Sequence, residues 1–169
     1  MKKNLVLLGM MGVGKSTLGK IIAKKLNLEF IDTDRNIEKK CLMKIVQIFN
    51  EKGEDFFRQK EEGEVLKSLE KNNCIIALGG GAFINNVIRE NILKTSISIW
   101  LDDDLEVLNK RTKNNKKRPL LNMKNSKKEI NKLYNFRKDI YNLANYKIDC
   151  RKESKSSIIK KIISVYEKH

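Results

Sequence analysis

Gly9-Met10-Met11-Gly12-Val13-Gly14-Lys15-Ser16 reads G-x-x-x-x-G-K-S, and what flanks it decides the fold. The apolar run Asn4–Leu8 before it has the character of a buried strand. Lys15–Leu26 after it carries Leu18, Ile21, Ile22 and Leu26 on one helical face. A glycine-rich turn between a strand and a helix is the context this spacing requires. Its glycines let the backbone wrap a polyphosphate, while loop N–H groups and the helix N-terminus donate to the phosphate oxygens. Lys15 then reaches the β/γ-phosphates, and Ser16 ligates Mg²⁺. Ordinary turn glycines are the competing reading, and agreement of motif with context tells against it.

Outward from that turn, strand-like and helix-like segments alternate. Residues 29–32 read as a second strand, and helices follow around 36–40, 44–52 and 55–70. The continuous apolar run 74–78 is of the kind buried in parallel sheets, and Gly79, Gly80 and Gly81 close it. Further strands at 96–101 and 146–150 each precede a helical pattern, the last carrying Ile158, Ile159, Ile162, Ile163 and Tyr166. This alternation predicts an α/β fold, a parallel sheet covered by helices. With 169 residues, 40% of them hydrophobic, residues 1–169 suit one domain rather than two. The polar run 113–117, just before the single proline Pro119, predicts a mobile lid over about 113–123.

Composition removes several classes of chemistry. The one histidine is the last residue, His169, which leaves no material for histidine-based metal sites or for histidine-activated nucleophiles. Cys41, Cys74 and Cys150 form no C-x-x-C pair and read as buried free thiols. Lys and Arg number 36 against 21 Asp and Glu, a formal charge of +15, which raises nucleic-acid binding as a possibility. The lysines are scattered without aromatic interleaving, so a lysine-rich surface that favours anionic ligands is the preferred account. No stretch is long and apolar enough to cross a bilayer and no cleavable signal is evident, so the expectation is cytoplasmic.

Four further features point to a ligand. Asp32-Thr33-Asp34 ends the second strand at the carboxyl edge of the sheet. Period-two alternation of strand side chains aims both carboxylates to one side. One near Mg²⁺ and one near an acceptor hydroxyl is the division phosphoryl transfer needs, with a helix N-cap at Asp34 as the plain alternative. Arg58 lies on the stripe of Val65, Leu66 and Leu69, where Glu61 or Glu62 could pair with it. Arg137 sits in the middle of the apolar stripe formed by Ile130, Leu133, Tyr134, Ile140, Tyr141 and Ala144. Two inward guanidinium groups suggest an anionic ligand, and the triplet Gly79 to Gly81 permits close backbone approach, though a plain turn explains it equally well.

These pieces resemble the shikimate kinase family over nearly the whole chain. The matching blocks are Gly9 to Thr17 (GMMGVGKST), Asp32 to Asp34 (DTD), Gly53 to Arg58 with Glu61 (GEDFFR..E), Gly79 to Gly81, Arg118 to Leu121 (RPLL) and RKDIYNLA from Arg137. The resemblance implies a three-layer αβα fold on a five-stranded parallel sheet of order 2-3-1-4-5. It also implies transfer of the γ-phosphate of MgATP to the 3-hydroxyl of shikimate, a step toward chorismate and the aromatic amino acids. By the same resemblance, Gly12, Val13, Gly14, Lys15, Ser16 and Thr17 bind ATP, Arg111 lies against adenine, and Arg118 on the lid closes over the phosphates. Ser16 and Asp32 would hold one Mg²⁺. Asp34 would direct the acceptor hydroxyl, Arg58 and Arg137 would grip the carboxylate, and Gly79, Gly80 and Gly81 would line the acceptor, within a substrate-binding region of about 33–61. Lys15, Asp34 and Arg118 are the implied catalytic set, and the implied partners are ATP and shikimate, with the protein a monomer.

Leu42 and Lys44 stand where the family tends to carry glycine and serine, Leu78 is a further departure just before the glycine triplet, and 151–155 lacks a proline common in the family. The rival readings are another small-metabolite kinase, such as one for gluconate or a nucleoside, and a nucleic-acid-binding protein built on the same phosphate loop.

Overall fold

The computed structural model describes residues 3–112 and 126–169. Five strands, β1 (Asn4–Leu8), β2 (Glu29–Asp32), β3 (Cys74–Ala77), β4 (Ser96–Asp102) and β5 (Tyr146–Asp149), form one sheet of order β2-β3-β1-β4-β5. Every pairing is parallel. The order is the one the resemblance implied. Parallel strands need crossovers, and the chain supplies them as helices α1 (Lys15–Leu26), α2 (Thr33–Cys41), α3 (Ile45–Lys52), α4 (Glu54–Leu69), α5 (Asn86–Thr95), α6 (Leu105–Thr112), α7 (Ser126–Tyr141) and α8 (Lys155–Glu167).

β1, β3 and β4 are buried along their whole length, which explains why β3 reads as an unbroken apolar run rather than an alternating one. Helix α1 packs against β2, β3 and α8, while α4 packs on α5 and α5 on β4. Gly19 on α1 faces Phe30 of β2, where a Cβ would come within 2.5 Å of the ring; the glycine is what lets this helix lie so close to the sheet. A second, smaller apolar cluster of Ile37, Ile48 and Phe57 holds α2, α3 and α4 together at one end of the molecule. Trp100 of β4 is buried, with the Lys147 ammonium 4.0 Å from its ring centre and the Tyr141 ring 5.9 Å away.

Two local differences from the sequence reading have physical causes. Residues 86–95, not assigned above, form α5, which buries Ile88 and Ile92 fully in the core with Leu93 packed beside them, and is capped by the Asn85 side chain accepting from the Ile88 N–H. Cys74 and Cys150 are buried free thiols, whereas Cys41 is only half-buried at the end of α2. Among the described residues no helix is long and apolar enough to cross a membrane.

Candidate active site

All the strands end on the same edge, and the order places β1 between β3 and β4, so the loops after β1, β2 and β3 meet there. The loop after β1 is built by glycines in conformations closed to other residues. Gly9 has φ 137°, and a Cβ there would sit 2.4 Å from the Leu101 carbonyl oxygen. Lys15 opens α1 and is buried, its Nζ donating to the carbonyls of Gly9 at 2.7 Å and Met10 at 3.0 Å. Val13 is buried, Gly12, Gly14 and Ser16 are half-buried, and Thr17 is exposed. Arg111 on α6 reaches the same loop, its Nη1 donating to the Gly12 carbonyl at 3.3 Å and to Asp103 Oδ2 at 3.1 Å.

Beside this loop opens a cavity of about 730 Å³, whose lining includes Ser16, Asp32, Asp34, Arg58, Gly80 and Arg137. The carboxylates do not reach it by strand alternation. β2 stops at Asp32, which caps α2 by accepting from the Arg35 N–H at 3.2 Å, and Asp34 stands in the first turn of that helix. The continued-strand reading of Asp32 to Asp34 is thus corrected, and the cap is Asp32 rather than Asp34. A carboxylate in the first helical turn is favoured there by the macrodipole, and that is the local reason Asp34 fits.

The glycine triplet does turn the chain, with the Ala82 N–H donating to the Gly79 carbonyl at 3.2 Å, but the turn alone does not call for glycine. None of the three has positive φ; what matters is room. A Cβ on Gly79 would meet Asp34 Oδ1 at 2.6 Å and Glu61 Oε1 at 2.7 Å, and one on Gly81 would meet Arg58 Nη1 at 2.6 Å. At Gly80 it would lie 3.4 Å from Arg137 Nη1. Two carboxylates and two guanidinium groups converge on three residues of bare backbone.

Arg58 is half-buried and doubly paired, through Nη1 to Glu61 at 2.7 Å and through Nη2 to Glu54 at 2.9 Å. Glu62, the other partner considered for it, instead accepts from Asn85. Glu61 is 1% exposed. Burial pushes its carboxyl up to about 6, with Arg58 opposing and the nearby Asp34 charge adding to the rise. Arg137 is 4% exposed on α7, and among the described residues its Nε and Nη1 have no hydrogen-bond partner. One turn on, the Tyr141 hydroxyl donates to the Gly80 carbonyl, and burial raises its pKa while the Arg137 charge opposes. Glu61 is one of the two partners that spacing offered for Arg58. The bond from Tyr141 to Gly80 is a part of the site that sequence reasoning did not assign; the available signal was that Tyr141 lies one turn after Arg137. Arg118 and the segment 113–123 lie outside the described residues.

A family model described as shikimate kinase matches residues 11–167. The chain belongs to the shikimate kinase family. A curated relative from Bartonella quintana (strain Toulouse), named shikimate kinase, is 44% identical over 96% of this chain and 77% of its own length. Among solved structures, a shikimate kinase from Acinetobacter baumannii in complex with shikimate superposes with a TM-score of 0.95, at 31% identity, over 99% of this chain and 94% of that one. A gluconokinase from Sinorhizobium meliloti 1021 superposes less closely, with a TM-score of 0.66 at 15% identity over 99% of this chain and 93% of that one, a likeness of fold alone.

Proposed function

We propose that this chain phosphorylates the 3-hydroxyl of shikimate with MgATP, releasing shikimate 3-phosphate and ADP. The observation that carries the reading is Arg137, a buried guanidinium on the wall of the cavity that also holds Asp34, with two nitrogens unpartnered among the described residues. A buried donor without an acceptor is costly, and a carboxylate on the acceptor is the group that fits a planar two-pronged donor. Arg58, already neutralised by Glu54 and Glu61, lines the same cavity as a second donor, with the backbone of Gly80 against Arg137 and that of Gly81 against Arg58.

With the ring acid so oriented, its 3-hydroxyl faces Asp34. The hydroxyl oxygen attacks the γ-phosphorus, the bond to the β–γ bridging oxygen breaks, and the hydroxyl proton passes to the Asp34 carboxylate. Lys15 leaves its loop carbonyls for the β/γ-phosphates, and Gly12 to Thr17 supply the N–H cradle, with Arg111 beside adenine. Arg118 is the further cation this reading assigns to the transferring phosphate. Ser16 and Asp32 line the same cavity and offer a hydroxyl and a carboxylate, hard oxygen donors of the kind Mg²⁺ accepts together with phosphates. The ion, when bound, neutralises phosphate charge. Positioning and electrostatics thus supply the catalysis. The reading takes the enzyme as a cytoplasmic monomer, with small molecules rather than nucleic acid as its partners.

Coupled measurement of ADP release with shikimate, gluconate and nucleoside monophosphates tests the reading. Turnover confined to shikimate is the expected result; turnover on gluconate or a nucleotide with none on shikimate overturns it.

A further inference from the structure

Glu64 is a buried carboxylate that the phosphoryl-transfer mechanism does not use. It lies on α4 one turn beyond Glu61 and is 5% exposed. Its Oε1 accepts from Asn36 Nδ2 at 2.7 Å, and its Oε2 accepts from the Lys40 ammonium. Both partners come from α2, one turn apart, so a single side chain bridges two helices at two points. The Ser68 hydroxyl, on α4 itself, completes the cluster by donating to the Glu64 carbonyl at 2.7 Å.

The position of this cluster gives it a task. Helix α2 carries Asp34 two residues before Asn36, and α4 carries Arg58 and Glu61 within two turns before Glu64. At the site end, Asp34 and Glu61 crowd the same space beside Gly79. Two carboxylates so close repel, an effect that the Arg58 and Arg137 charges beside Glu61 offset, so the balance depends on how far the start of α2 stands from α4. Thr33, buried beside Asp34, ties the start of α2 to the end of β3, its hydroxyl donating to the Ala77 carbonyl and accepting from the Gly79 N–H, but it makes no link to α4; the small cluster of Ile37, Ile48 and Phe57 is non-directional and does not fix the sliding of one helix along the other. Hydrogen bonds from Asn36 and Lys40 to a buried carboxylate do fix it, because they are directional and charge-assisted.

We propose that Glu64 is a positioning residue of the acceptor site, clamping α2 to α4 so that Asp34 is held at the working distance from Arg58 and Glu61. The inference rests on the acceptor reading given above. It assigns Glu64 no contact with substrate. Its effect is on the spacing between the group that directs the hydroxyl and the groups that hold the carboxylate, and catalysis is sensitive to shifts on the order of 1 Å in such spacings. The donor loop, which leaves β1 and enters α1, shares none of these contacts.

The test compares Glu64→Leu, Glu64→Gln and wild type in steady-state assays with shikimate and MgATP, after circular dichroism has shown each to be folded. Glu64→Leu should raise KM for shikimate roughly tenfold and lower kcat, with KM for ATP unchanged. Glu64→Gln, which keeps an acceptor for Asn36, should stay within about threefold of wild type. Asn36→Leu, which cuts one of the two arms, should give part of the Glu64→Leu effect, and the double variant should go no further than Glu64→Leu alone, since Glu64→Leu already removes that arm. A folded Glu64→Leu protein with lowered Tm but wild-type KM for shikimate would mean that the cluster only stabilises the fold, and would overturn the proposal. Equal rises in both KM values, or additive effects in the double variant, would do the same. Should Glu64→Leu fail to fold, Lys40→Met removes one arm from the exposed side and should still raise KM for shikimate alone; no change there also overturns it. Wild type without turnover on shikimate would remove the acceptor reading and this inference together, whereas an active wild type with an unaffected Glu64→Leu removes only the inference.

Discussion

The donor loop and the acceptor pocket meet at one sheet edge, yet they handle charge in opposite ways. In the loop, Lys15 is buried but satisfied, its ammonium held by the Gly9 and Met10 carbonyls. In the pocket, Arg137 is as well buried and keeps two nitrogens without partners among the described residues. A ligand in the loop must exchange contacts that already exist, whereas a ligand in the pocket supplies ones that are missing. The loop can therefore keep its shape without a ligand, and the pocket stores the cost of desolvating a guanidinium until an anion arrives.

The most severe way to break the loop is Lys15→Ala. It should lower kcat by roughly 10³ or more, since a preorganised charge on the transferring phosphate is lost. Circular dichroism should show the fold retained. Wild-type-like turnover in the folded variant would remove the loop from the mechanism. Next in size is Asp34→Asn, which keeps shape and removes charge. A fall in kcat of roughly 10² is expected for loss of an acid–base or directing group, while an unchanged value would leave Asp34 as a first-turn helix residue only.

Arg137→Lys sharpens the contrast from the pocket side. Lysine keeps the charge and loses the planar fork, so shikimate binding should weaken by about 2 kcal/mol, or about thirtyfold, with ATP affinity constant. Calorimetric titration with shikimate and its carboxamide decides it. Wild type should prefer the acid strongly and the variant should lose most of that preference.

The smallest effect concerns Glu61, whose carboxyl is raised by burial to about 6 from 4.5. The folded state holds this proton more tightly than the unfolded chain does. The resulting stabilisation is full below pH 4.5 and is lost as pH rises through 6. Relative to Glu61→Gln, wild type should lose up to about 2 kcal/mol of unfolding free energy across that window. Parallel denaturant curves for the two proteins over this pH range would contradict the assignment.

Much of the fold was legible because its signals are local. β1, α1 and β2 fall at the residues read from the sequence, since a buried strand, a glycine turn and an amphipathic helix each announce themselves within a few positions. Asp32 and Asp34 show where locality misleads. Alternation predicted a strand continuing through Asp34, but Asp32 is also a good helix cap, and the cap prevailed. α5 escaped notice because two buried isoleucines in a polar segment make too thin a stripe. In the site, the inward arginines were visible as charges on apolar faces. Glu54 as a partner of Arg58, and the crowding at Gly79 to Gly81, depend on contacts between elements that no single stretch of sequence encodes. The triplet could be read as room for something, but not as room for the protein's own carboxylates and guanidinium groups.

Trp100 gives the two halves of the site a shared optical reporter. It is the chain's single tryptophan. One edge of its indole, at Cδ1, would be 3.4 Å from a Cβ on Gly9, and its ring also packs against Tyr141, whose hydroxyl is bonded to the Gly80 carbonyl. Intrinsic emission from this one fluorophore therefore reads the phosphate loop on one side and the carboxylate-gripping wall on the other. Separate titrations of unlabelled protein with nucleotide and with acceptor would give two spectral changes from the same ring, and a third for the ternary complex if filling one half alters the other.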